Sequence, residues 1–193
     1  MKLMSLFDGS GSFPLAAEMC GIKPVYASEV EPFPIAVTRA RFPDMIHLGD
    51  VSKINGAELE PVDIVTFGSP CQDLSVAGKR AGLQDGARSS LFFQAIRIIK
   101  EMRESTNGKH PRFAVWENVH GAFSSNKGED FKAVLEQFCM LGAGCDVPIP
   151  RPAKWGGCRV HHGGYLLRCL AHRGCSILGC APAKKTYLPC RRS

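Results

Sequence analysis

Cys71 sits in the run Gly68-Ser69-Pro70-Cys71-Gln72, directly after the apolar stretch Asp63–Phe67. A cysteine held in a short rigid turn is a candidate nucleophile. Its thiolate is the reactive form, so it needs a polar, partly exposed site. Glu117, in Trp116-Glu117-Asn118-Val119, ends another apolar stretch. A carboxyl group beside such a thiol can protonate or grip a heterocycle. Each residue has a plainer counterpart: a small buried hydrophobe for the cysteine, a capping acid for the glutamate. A second set lies nearer the N-terminus. Phe7-Asp8-Gly9-Ser10-Gly11-Ser12 is a turn whose glycines let a ligand approach the backbone closely, although any tight strand-to-helix turn reads alike. Glu29 follows at the spacing where an acid can bind both hydroxyls of a ribose, or can simply be solvated. Asp50 can accept a hydrogen bond from an adenine amino group, or cap the turn Val51-Ser52.

The elements that must position these residues alternate along the first 140 or so residues. Strand patterns are read at Lys2–Phe7, Val25–Val30, Met45–Leu48, Asp63–Phe67 and Phe113–Val119. Helices are read at Phe13–Cys20, Phe33–Phe42 and Phe131–Met140, with another capped by Ser89 or Ser90. The capped helix carries the stripe Leu91, Phe92, Ala95, Ile98, Ile99, Met102. Strands alternating with helices imply an α/β fold, a doubly wound, mostly parallel sheet with helices on both faces. Ligands in such sheets sit at the carboxyl ends of the strands, and every residue singled out above lies at one.

The order glycine turn, Glu29, Asp50, Pro70-Cys71-Gln72, Glu117-Asn118-Val119, one group at each of five successive strand ends, resembles the DNA cytosine-5 methyltransferase family. The resemblance covers residues 1–157 and implies the Rossmann-like catalytic core of a class I methyltransferase that uses S-adenosyl-L-methionine. It implies that Phe7, Gly9 and Gly11 line the cofactor, and that Glu29 holds its ribose with Val30 beside the adenine. Asp50 would bind the adenine amino group, flanked by Val51, and Leu91, in the stretch Gly82–Phe93, would pack nearby. Cys71 would attack C6 of a cytosine flipped out of double-stranded DNA, and Glu117 would contact its N3 and amino group. Pro70, Gln72, Asn118 and Val119 would border the base. Ser12 departs from the pattern, since many members carry glycine there.

The last 36 residues differ in kind. The chain has 193 residues and a formal charge of +6, yet all 18 Asp and Glu precede Cys158. Seven of the 24 Lys and Arg follow Gly157, so residues 1–157 carry a net charge of −1 and the basic excess belongs to the tail. Five of the nine cysteines (Cys158, Cys169, Cys175, Cys180, Cys190) fall there too. Read one base later with permitted synonymous codons, Ser176–Tyr187 gives Gln-Tyr-Trp-Gly-Val-Pro-Gln-Arg-Arg-Lys-Arg-Ile, the Gln-Arg-Arg segment that the resemblance calls for. Residues 158–193 are therefore expected to be a frameshifted, irregular tail on a truncated core. The rival is a zinc or nucleic-acid module using Cys158, His161, His162, Cys169, His172, Cys175 and Cys180. Their spacings fit no paired Cys-x-x-Cys plan, and no metal is expected.

With the tail unable to supply the missing parts and the outer edge of the fifth strand expected to lie open, this polypeptide is expected to methylate weakly or not at all. No apolar run reaches the length of a membrane span, and the start lacks the core of a signal peptide. The chain is expected to be a cytoplasmic monomer of bacterial or phage origin, from a restriction system or a solitary methylase. Three alternatives stay open: a nucleotide-dependent oxidoreductase on a similar sheet, a catalytically silent remnant that holds cofactor or DNA, and an RNA-directed relative.

Overall fold

The computed structural model describes residues 1–69, 91–143 and 149, and the backbone of residues 158–162, 165–170 and 175–180. The chain runs β1 (Lys2–Leu6), α1 (Ser12–Met19), β2 (Lys23–Ser28), α2 (Pro32–Arg41), β3 (Ile46–His47) and β4 (Ile64–Phe67). Then come α3 (Leu91–Ser105), β5 (Phe113–Asn118), α4 (Glu129–Ala143), β6 (Cys158–His162), β7 (Tyr165–Leu170) and β8 (Cys175–Cys180). One eight-stranded sheet has the order β3-β2-β1-β4-β5-β8-β7-β6. β1 to β5 are mutually parallel. The chain winds outward from β1 through β2 to β3, then returns to β4 on the other side of β1. The crevice outside β1 and β4 is the switch point where such sheets bind ligands.

The helices form where local sequence favours them. Pro32 starts α2, its fixed φ suiting the first turn, and Arg39 and Arg41 face the carbonyls of the last. Glu129 and Asp130 stand in the first turn of α4, where the helix dipole favours negative charge. On α3, Phe92, Ala95, Ile98, Ile99 and Met102 of the expected stripe are buried, and Leu91 is half-buried. They pack against Met4, Leu6, Val65, Phe67 and Trp116 of the sheet and Phe131, Leu135 and Phe138 of α4. Phe92 meets Trp116 edge to face, with ring centroids 5.8 Å apart. The opposite sheet face is thinner: Leu3 and Ile64 take Ala17 of α1, and Ala27 takes Phe42 beyond α2.

The doubly wound core is as expected, but the tail requires a correction. β8 pairs antiparallel with β5 over six residue pairs, from Phe113↔Cys180 to Asn118↔Cys175. β7 then pairs with β8, and β6 with β7. The segments 158–162, 165–170 and 175–180 are thus strands where an irregular chain was expected, and β5 has no open edge. The reason lies in the backbone. An edge strand presents a row of N–H and C=O groups that any extended chain can satisfy, so pairing demands little of side-chain order.

Candidate active site

The turn after β1 is shaped by backbone strain. Phe7 takes φ +56°, a left-handed conformation rare for an aromatic residue, and Gly9 and Gly11 follow at +54° and +84°. The two glycines differ in what they face. A Cβ on Gly11 would meet Thr38 Cγ2 at 2.8 Å and Phe42 Cε2 at 3.1 Å, so Gly11 admits the α2 side of the fold. Among the described residues, a Cβ on Gly9 would meet nothing within 4 Å, so nothing described there crowds its backbone. Ser12 opens α1 with Gly11 as its N-cap, and its side chain is exposed, so serine replaces glycine there without crowding.

Glu29 follows β2. Its Oε2 accepts the Gly9 N–H at 2.9 Å, and Oε1 accepts the N–H groups of Val30 (2.7 Å) and Glu31 (3.1 Å). The carboxylate thus ties the glycine turn to the start of α2. Val30 beside it is 62% exposed, an apolar wall at the rim of the crevice. Asp50 caps a 3-10 turn at Val51–Lys53, accepting from Ser52 N (2.9 Å) and Ser52 Oγ (2.8 Å) through one oxygen, Oδ1. Those bonds hold its carboxyl below the usual carboxylate range. The capping role is real, and Oδ1 alone takes both of those bonds. Val51 is buried in the core. Leu91 begins α3, packed against the same core.

Asp8 was not singled out by sequence. Its carboxyl is buried, and neither oxygen has a hydrogen-bond partner among the described residues. Burial, outweighing nearby Ser5 and reinforced by the charge of Glu29, pushes its pKa up to about 6. An acid inside a glycine turn was visible in the sequence, but its burial was not.

At the other half of the crevice, β5 holds the end of β4. The Trp116 indole N–H donates to Ser69 Oγ at 3.1 Å, and Asn118 Nδ2 donates to the Ser69 carbonyl at 3.1 Å. All three residues are buried. Glu117 between them is exposed, and its Oε2 lies 3.3 Å from where a Cβ on Gly68 would stand. Gly68 therefore gives the carboxylate room across the end of β4. Asn118 Oδ1 also accepts the Val119 N–H, and the Val119 side chain is 61% exposed. The structure thus brings Glu117, Asn118 and Val119 to the end of β4, and Phe7, Gly9, Glu29 and Val30 to the crevice beside it. Pro70, Cys71 and Gln72, and residues 82–90 of the stretch Gly82–Phe93, lie outside the described residues. The cysteine–carboxylate pairing expected from sequence is therefore described on its carboxylate side only. Cys139 is no rival nucleophile, since it is buried and its thiol is pushed up to about 11, first by burial and then by Glu136. Among the described residues no group of three or more His, Cys, Asp and Glu is placed to hold a metal ion. None of their helices is long and apolar enough to cross a membrane.

A family model described as C-5 cytosine-specific DNA methylase matches residues 1–156. The chain belongs to that family. Its relatives include the orphan methyltransferase M.SPRI of Bacillus phage SPR, 35% identical over 153 residues, which are 77% of this chain and 33% of the relative. The type II methyltransferase M.HhaI of Haemophilus parahaemolyticus is 33% identical over 134 residues, 69% of this chain and 38% of that protein. This methylase chain thus spans about a third of the length of the curated relatives it matches. A solved structure described as a DNA modification methyltransferase encoded within an E. coli prophage superposes with a TM-score of 0.58 at 20% identity. That superposition covers 94% of this chain and 47% of the other, and it shows the fold.

Proposed function

We propose that the chain is the cofactor-binding and catalytic part of a DNA cytosine-5 methyltransferase that acts through Cys71. The observation that carries the reading is the parallel pairing of β4 with β5. It sets Gly68 against Glu117 and delivers the chain, three residues on, to Cys71. Family membership supplies the methyl-transfer chemistry, and a substrate in double-stranded DNA comes from the same source. The crevice suits S-adenosyl-L-methionine. Gly9 presents an open backbone, Glu29 a carboxylate already oriented by three N–H groups, Val30 an exposed apolar wall, and Asp50 a second carboxylate oxygen. Those residues would hold its ribose and adenine, with Phe7, Gly11, Val51 and Leu91 shaping the cleft behind them. When bound, the cofactor supplies the methyl group.

C5 of cytosine is a poor nucleophile. The Cys71 thiolate forms a bond to C6, and the C5=C6 electron pair moves toward C5 and the N3 side of the ring. Glu117 contacts N3 and the amino group and stabilises that charge. After C5 is methylated, a base removes the C5 proton, the double bond re-forms, and the thiolate leaves C6. The target atoms are inaccessible inside a duplex, so the base is flipped out, with Pro70, Gln72, Asn118 and Val119 around it.

The tail belongs to the same proposal. Its shifted reading contains the Gln-Arg-Arg segment, so we read residues 158–193 as frameshifted and expect this polypeptide to turn over weakly or not at all. The pairing of β8 with β5 removes the open-edge part of that expectation and leaves the rest. The nucleotide sequence across codons 155–160 tests it, and an intact frame in independent isolates would refute it. We place the protein in the cytoplasm as a monomer.

The catalytic reading is tested with DNA containing 5-fluorocytosine, which blocks the final proton loss. A covalent adduct formed in the presence of S-adenosyl-L-methionine and absent in Cys71→Ser is expected. Failure of the family's minimal DNA targets to trap any adduct would leave the chain a silent remnant. Binding of NAD in preference to S-adenosylhomocysteine would overturn the cofactor reading.

A further inference from the structure

The segment that follows β3 is gripped by α3. Arg97 of α3 donates from Nη1 to the Ile54 carbonyl at 2.8 Å and from Nη2 to the Val51 carbonyl at 3.1 Å. Nη1 also meets Glu101 Oε1 at 2.7 Å, and Nε meets Gln94 Oε1 at 2.8 Å. Glu101 turns its other oxygen to the Gly56 N–H at 2.7 Å. Gly56 lies so close to α3 that a Cβ there would stand 2.2 Å from the Ile98 carbonyl oxygen. One helix face thus satisfies two carbonyls and one N–H of a six-residue stretch and excludes any side chain at its end. The stretch is pinned at its start as well: Ser28 Oγ donates to the Gly49 carbonyl at 2.6 Å, and Leu48 N–H to the Ala27 carbonyl at 2.8 Å. Between these anchors stands Asp50.

We infer that Arg97, acting with Glu101, is a positioning residue that sets nucleobase specificity, because it fixes the Val51–Gly56 backbone and through it the carboxylate of Asp50. The inference rests on the reading in which Asp50 accepts from the adenine amino group of the methyl donor. The guanidinium suits the task because its rigid planar fork reaches two carbonyls and a carboxylate together. A lysine ammonium, a single point of charge, cannot span the same acceptors. The effect runs through the backbone: with the fork removed, the 3-10 turn is free to shift, and a hydrogen bond of fixed length and angle to a purine edge is lost first.

The test compares S-adenosylhomocysteine with S-inosylhomocysteine, which carries a carbonyl in place of the amino group, by calorimetric titration of the full chain. The wild type is expected to prefer adenine by about tenfold, the scale of one lost directional hydrogen bond. Arg97→Met and Arg97→Lys are both expected to bring that preference below about twofold, with amide exchange faster at residues 51–56. Ile96→Val trims the same helix in the core, and Lys100→Ala removes an exposed charge from it. Both should keep the preference, whatever they do to thermal stability. A tenfold preference that persists in Arg97→Met overturns the inference alone. Equal binding of the two ligands by the wild type overturns the role of Asp50 and the inference with it. Absence of binding to either overturns the donor reading itself.

Discussion

The two halves of the crevice are built by different means. On the donor side, around the ends of β1, β2 and β3, the shape comes from main chain. Glycines at positive φ and backbone N–H groups converge on Glu29, and a capped turn presents Asp50. On the base side, at the ends of β4 and β5, side chains hold the backbone in place, through Trp116 and Asn118 on Ser69. The first kind of site depends on the absence of side chains and the second on their presence. Substitutions should therefore fail in opposite ways.

Gly56→Ala, behind the donor side, should give the largest loss. The new Cβ would press on the carbonyl of Ile98, backbone that cannot give way, so denaturation should show about 3 kcal/mol lost. Asp8→Asn should work the other way. The wild-type carboxyl has a folded pKa of about 6, raised above its ordinary 3.8. Its stability is therefore full below pH 4 and declines as pH climbs through 6. The asparagine variant escapes that decline and should be more stable by about 2 kcal/mol at pH 8, with the gap closing toward pH 4. Equal pH profiles for the two proteins would mean that Asp8 is solvated. On the base side, Ser69→Ala strands the buried Trp116 N–H and should cost about 2 kcal/mol. Trp116→Phe leaves a cavity of its own, but the double variant should lose less than the two single losses summed, since no donor is then stranded. Least costly is the contrast within the glycine turn. Gly9→Ala should lose about 1 kcal/mol from its positive φ, yet weaken S-adenosylhomocysteine binding more than Gly11→Ala does. Gly11→Ala should unfold more readily, because its new methyl meets Thr38 and Phe42. Identical behaviour of the two would erase the distinction between an open and a packed glycine.

The parallel core was legible because each strand and helix bears its own period, and because every buried helix face needs a sheet face to cover it. The stripe on α3 told where that helix packs. What Arg97 does was not legible, since the two carbonyls it grips lie more than forty residues upstream and are backbone atoms of no particular sequence. Ser69 escaped notice for a related reason: its hydroxyl matters only once β5 lies beside β4. The strands of the tail were missed because its odd composition speaks of side chains, whereas β6, β7 and β8 are held by main-chain pairing. Pattern did not reveal that the Val51 side chain packs into the core.

Along β5 the buried indole of Trp116 and the exposed carboxylate of Glu117 are consecutive and point to opposite faces of the sheet. Sliding β5 by one residue would bring the largest apolar side chain of the core into water and aim the acid at Phe92 and Phe131. Such a slip is forbidden by hydrophobic burial alone. A molecule that completes its core has thereby aimed its acid, and a properly folded population with a misdirected carboxylate cannot accumulate.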